Sequence, residues 1–235
     1  MSVLIHQTVH NLYMPSTDPR PARSRALIVT AALQHFLAHG YANGSVDAIA
    51  AEAGVSKRTI YNLFESKEEV FRAVVEESFR IAEQFTAGLA AASLAPTSAE
   101  APGRPIAETL EELAVAHAQA VLDPRVIRLR RLLIGEAERF PELAAEYYER
   151  APQAVITALE QVLRRHGESG ELSIPDELVP IAAEQFAFLV LGVRLDRALF
   201  FSAEDAELAA APEVAGRARA GARAFLRAYA ADGQR

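Results

Sequence analysis

The stretch Ser45–Phe64, SVDAIAAEAGVSKRTIYNLF, decides the fold. Ser45 is a good helix N-cap, because its hydroxyl can accept from backbone N–H groups one turn on. After it, Val46, Ile49, Ala50 and Ala53 recur at i, i+3, i+4 and i+7, which is one face of a helix. Gly54 supplies the left-handed backbone that ends a helix. Val55 follows as an apolar plug, and Ser56 caps a second helix. In that helix Ile60, Leu63 and Phe64 point inward, while Lys57, Arg58, Thr59, Tyr61 and Asn62 occupy the opposite face. A short helix with an apolar back and a cationic, hydrogen-bonding front suits the DNA major groove. The short turn fits a helix-turn-helix. The plainer alternative is a helical hairpin in a core. The front-face chemistry and the Ser66-Lys67 cap that follows argue against it.

With Gly40-Tyr41 before it and Ser66-Lys-Glu after it, this stretch resembles the N-terminal domain of TetR/AcrR transcriptional regulators, from about Arg23 to Glu83. Further on, DPRVIRLRRLLIGEAERFPELAAEYYER, starting at Asp123, is similar to the bodies of the same family. The resemblance implies an all-α fold: a three-helix, helix-turn-helix DNA-binding head and a larger helical ligand-binding and dimerisation body. On that division residues 1–22 are a flexible arm, 23–68 the DNA-binding domain and 69–235 the effector-binding and dimerisation domain. The resemblance also implies that Thr59 and Tyr61 contact the DNA backbone, with Lys67 on phosphate. The residues themselves add that Ser45 and Ser56 sit at helix N-termini, where N–H groups attract phosphate. Arg58 is the expected base reader, because its fork matches guanine. Many relatives carry glycine there, so this reading comes from the side chain alone.

Composition bounds the rest. The chain has 235 residues, 51% of them hydrophobic, with no cysteine and no tryptophan. That excludes disulfides, thiolate catalysis and Cys-ligated zinc. No apolar run reaches the ~20 residues needed to span a bilayer. The N-terminus lacks a charged n-region and a cleavage signal. A cytoplasmic protein with no membrane partner is expected. The net charge of −7 looks wrong for a DNA binder until it is divided. Arg20 to Lys67 carries +3, residues 1–19 carry −1 and residues 68–235 carry −9. Basic character is confined to the part expected to meet phosphate.

Along the chain, Pro15, Pro19 and Pro21 mark the arm. Arg20, Arg23 and Arg25 could place it on the backbone or in a minor groove, or it is a solvated tail. Helix 1 is expected from about Arg23 to His39. His35 and His39 have metal-compatible spacing, but no third ligand is apparent and no metal is expected. Helix 4 starts after Ser66 and runs to roughly Ala91, followed by a loop over residues 93–105. Ile106 to Leu122 is a clean helix, and Pro124 opens another to about Phe140. Pro152 restarts a helix that ends near Gly167. Leu178 to Phe201 is apolar nearly all round and must be covered on more than one side. A last helix, about Glu213 to Ala230, carries small residues that permit close approach.

No phosphate loop, nucleophile elbow or HExxH motif occurs, so no catalytic residue or cofactor is expected and a helical enzyme has no candidate constellation. His117 and Glu136 interrupt apolar stripes. They are either ligand-orienting groups in an apolar pocket, or a core histidine on a carbonyl and a glutamate paired with an arginine. The expected pocket residues are His117, Leu133, Glu136, Phe140, Tyr147 and Phe186. A homodimer is expected through Leu189, Val193, Ala218, Ala222 and Phe225, two helices from each subunit. The expected function is a regulator that represses from near-palindromic double-stranded operator DNA until a small-molecule effector releases it. Regulation without a ligand, or activation, stays open. The acidic body and apolar lining lean toward a neutral or cationic hydrophobic compound.

Overall fold

The computed structural model describes residues 19–94, 105–201 and 212–231. The expected arm up to residue 18 and most of the loop expected at 93–105 lie outside these. In chain order the helices are α1 (Pro19–His39), α2 (Val46–Ala53), α3 (Lys57–Leu63), α4 (Lys67–Leu94), α5 (Ile106–Val121), α6 (Pro124–Gly135), α7 (Pro141–Tyr148), α8 (Ala154–Glu168), α9 (Val179–Leu191), α10 (Val193–Phe200) and α11 (Pro212–Tyr229). No single described helix is long and apolar enough to cross a membrane.

The head is built as its pattern dictates. Ile28, Ala32 and Phe36 of α1 repeat every four residues, and all are fully buried. Phe36 meets Phe71 of α4 edge-on at 5.5 Å. α2 buries Ile49, Ala50 and Ala53, and α3 buries Ile60. Gly54 ends α2 at φ +67°, and its N–H bonds the carbonyls of Ala50 and Ala51. A residue with a Cβ would be strained in that conformation.

The body closes around α5, α8, α9 and α11, whose buried residues form one cluster from Ile106 to Phe225. Gly221 of α11 lies against the backbone of Leu189 of α9, so close that a Cβ would collide with the Leu189 carbonyl. The small residues of α11 therefore bring helices together within one subunit.

Four boundaries differ from the sequence reading. α1 begins at Pro19, because the first turn of a helix tolerates proline. The helix expected to reach Phe140 ends at Gly135, and a turn leads to Phe140. Pro152 does not restart a helix. It sits in a π-helical turn, Glu149–Gln153, that carries the chain from α7 into α8 without a break. The long apolar helix is broken at Gly192 (φ +53°, ψ −151°), bending its two halves by 61°.

Candidate nucleic-acid interface and effector cavity

Caps set the geometry of the DNA-facing side. Ser45 Oγ accepts from the N–H of Ala48, and Ser56 Oγ accepts from that of Thr59 at 3.0 Å. The hydroxyls of Ser56 and Thr59 are 2.8 Å apart. On α3 Lys57, Arg58, Tyr61 and Asn62 are exposed and Thr59 is half-buried. Lys57 pairs with Asp47 of α2 at 2.9 Å, and this hydrogen bond raises the lysine pKa. Both partners are exposed, so the pair is weak and open to exchange for phosphate. Arg58 makes no hydrogen bond or ion pair among the described residues.

Lys67 is placed differently from the expectation of a phosphate contact. Its ammonium donates to the carbonyls of Tyr41 (2.9 Å), Ala42 (3.3 Å) and Gly44 (3.0 Å) and lies 4.4 Å from the Tyr41 ring. Three donors are spent on the α1–α2 loop, which leaves Lys67 as a clamp on the head.

His35 is a residue the sequence reading missed, having considered it only as a metal ligand. It is 7% exposed, accepts the N–H of Ser45 on Nε2 at 3.2 Å and donates from Nδ1 to Glu52 at 2.9 Å. Those contacts require the neutral Nδ1–H tautomer and fix the start of α2. Among the described residues no group of three His, Asp or Glu could hold a metal ion.

A cavity of about 560 Å³ lies in the body. Its walls include His117 of α5, Val126, Arg130 and Leu133 of α6, Tyr147 of α7 and Leu191 of α9, and the π-helical turn closes one side. Of the expected pocket residues, His117, Leu133 and Tyr147 line it. Glu136, Phe140 and Phe186 do not. Glu136 follows the C-terminus of α6, where its N–H bonds the Leu132 and Leu133 carbonyls. Phe186 is fully buried in the body core, edge-on to Phe225 at 5.3 Å. Phe140 belongs to the head's cluster. His117 is 3% exposed, and burial, with the Arg130 charge second, lowers its pKa to about 4. It is neutral at physiological pH.

Head and body meet at an aromatic junction. Phe140 packs edge-on to Tyr41 at 4.8 Å and against Phe71 at 5.4 Å, and Arg139 stacks over Tyr41 at 4.8 Å. Phe79 of α4 faces Tyr147 at 6.2 Å. Beside them Arg150 bridges Glu83 at 2.9 Å and Glu146 at 3.0 Å. Leu133 and Tyr147 line the cavity and also belong to the cluster that holds the head together.

The expected dimer residues divide. Ala218, Ala222 and Phe225 are fully buried within their own subunit, because α11 packs against both α5 and α9. They are therefore corrected to core. Leu189 is 47% exposed and Val193 63%.

Comparison with known proteins agrees with this architecture at both ends of the chain. Residues 28–74 match the N-terminal domain of bacterial regulatory proteins of the tetR family. Residues 108–231 match the C-terminal domain of AefR-like transcriptional repressors. The HTH-type transcriptional repressor SCO4008 of Streptomyces coelicolor is 39% identical over 64 residues, 27% of this chain and only 32% of that protein's length. The crystal structure of a TetR-family regulator from Mesorhizobium loti superposes with a TM-score of 0.73 at 26% identity, over 90% of this chain and 98% of that one. The flavonoid-responsive regulator FrrA superposes with a TM-score of 0.62 at 30% identity, over 89% of this chain and 98% of its own. With a groove-shaped α3 on the head and a family body around the cavity, the chain belongs to the TetR family of transcriptional regulators.

Proposed function

We propose that the chain is a repressor that seats α3 of two subunits in successive major grooves of a near-palindromic operator and is released by a small hydrophobic effector bound in the body. The observation that carries this reading is that Leu133 and Tyr147 serve two cores at once, walling the cavity and packing the head. A ligand that displaces either side chain moves atoms on which the head rests. Dense packing passes such a shift on rather than absorbing it. FrrA, by its name a flavonoid-responsive regulator, supports an effector of small-molecule size. The experiment is to select an operator from random duplex DNA and measure its retention while hydrophobic compounds are added. A compound that stabilises the protein and lowers retention supports repression relieved by ligand; binders that all leave retention unchanged contradict it.

Ser45, Ser56, Thr59 and Tyr61 serve the DNA backbone in this reading, Lys57 after leaving Asp47, while Arg58 and Asn62 reach base edges. Arg58→Ala should weaken operator binding by about 1–3 kcal/mol and relax sequence preference at one base pair per half-site. Unaltered affinity and preference in fluorescence anisotropy titrations would remove Arg58 from the readout.

The dimer forms through the outward face of α9. Ile181 is 49% exposed, Phe188 68% and Leu189 47%, an apolar strip continued by Val193 beyond the Gly192 bend. Such a strip calls for cover, and a second copy about a two-fold axis supplies it. Leu189→Glu should give a folded monomer by analytical ultracentrifugation, with operator affinity lost to that of a single half-site. A wild-type monomer at micromolar concentration would contradict the interface.

A further inference from the structure

We propose that the effector is an amphipathic monoanion, with an apolar body among the aliphatic side chains of the cavity and one carboxylate paired with Arg130. The inference rests on the reading of this cavity as the effector site, and it adds the charge of the ligand.

Arg130 stands on the face of α6 that lines the cavity, in one stripe with Val126, Leu133 and Ile134. The other arginines of α6 are engaged. Arg125 forks onto Asp123 at 3.2 Å, Arg128 donates to the Pro124 carbonyl at 3.2 Å, and Arg131 donates to the Phe201 carbonyl. Arg130 is half-buried, yet among the described residues no carboxylate or carbonyl takes its guanidinium. Its guanidinium keeps some contact with water, and a ligand carboxylate set in the planar fork gains two charge-assisted hydrogen bonds in a partly desolvated site. The positive potential extends to the buried wall, because Arg130 acts on His117. Glu184 of α9 is the acid in the lining; it is exposed, forms no ion pair with Arg130 and is not among the causes acting on His117. Of the two charges in the lining, Glu184 is therefore the more exposed and Arg130 the more buried. This departs from the neutral or cationic compound that the acidic composition suggested, since net charge describes the outer surface of the body and not this wall.

The volume suits a ligand of two rings or a comparable chain. Biphenyl-4-carboxylate, biphenyl-4-carboxamide and 4-(aminomethyl)biphenyl share one shape and differ in charge. Titrated calorimetrically into the full chain at neutral pH, the carboxylate should bind at least about tenfold tighter than the amide, and the amine weakest. Arg130→Gln should bring the carboxylate within about twofold of the amide while leaving the amide's own affinity unchanged, which a collapsed cavity would not do. Glu184→Gln should leave the carboxylate preference in place. If Arg130→Gln does not fold, Arg130→Lys, which keeps charge but loses the fork, should retain a reduced preference. Equal or tighter binding of the amide or the amine, no binding of the carboxylate, or a preference surviving in Arg130→Gln would overturn the proposal. Operator release by the amide or the amine alone would overturn it while leaving ligand-relieved repression standing.

Discussion

Replacing Phe140 with alanine is expected to cost about 3–5 kcal/mol of stability, the usual range for deleting a buried aromatic ring. The ring is 8% exposed and touches Tyr41 at 4.8 Å and Phe71 at 5.4 Å, so its removal opens a void between head and body. Neighbours can fill little of it, because Tyr41 is held by the cations of Arg139 and Lys67 over its ring. Chemical denaturation should then show the head melting ahead of the body. Phe140→Leu keeps an apolar filler but loses the edge-to-face contact. It should fold and bind operator, and effector should release it less completely. A stability of Phe140→Ala within about 1 kcal/mol of the parent would place Phe140 outside the junction.

The sequence disclosed the head and hid the junction for one physical reason. Caps, left-handed glycines and short apolar periods are local, so Ser45, Gly54, Ser56 and Ile60 announce their roles within one turn of helix. Phe140 has the period of a residue continuing α6. What places it on Tyr41 is the end of that helix at Gly135 and the turn after it, a choice made by packing. Periodicity likewise showed that Ala218, Ala222 and Phe225 face an apolar neighbour, but a burial pattern is the same whether its cover is another helix of the subunit or another subunit. Arg130 was overlooked because arginines are frequent on α6. The available signal was its position in register with Val126, Leu133 and Ile134. Gly192 could have been seen as a break in a helix that otherwise reads as apolar without interruption.

The second large effect is on DNA affinity. Filling the cavity should weaken operator binding by about 3 kcal/mol, more than a hundredfold, which lies within the usual range of coupling between sites. A ligand shifts a conformational equilibrium only by its differential affinity for the two states. In the proposed mechanism the difference arises at Leu133 and Tyr147, which line the cavity and belong to the cluster that holds the head. In a dimer the displacement of each head alters the separation of the two α3 helices, and a fixed half-site spacing penalises that change. His117 has a pKa of about 4 and is neutral on both sides of pH 7, so its charge should not alter the coupling between pH 6 and pH 8.

The most direct test is a closed binding cycle. Operator affinity is measured by anisotropy with and without a saturating cavity ligand, and ligand affinity by calorimetry with and without saturating operator. The account predicts the same factor on both arms, above about one hundred, shrinking toward one in Phe140→Leu although ligand and operator each still bind. A ligand that fills the cavity, blocked by substitution of Arg130 or Tyr147, yet leaves operator affinity unchanged would contradict it.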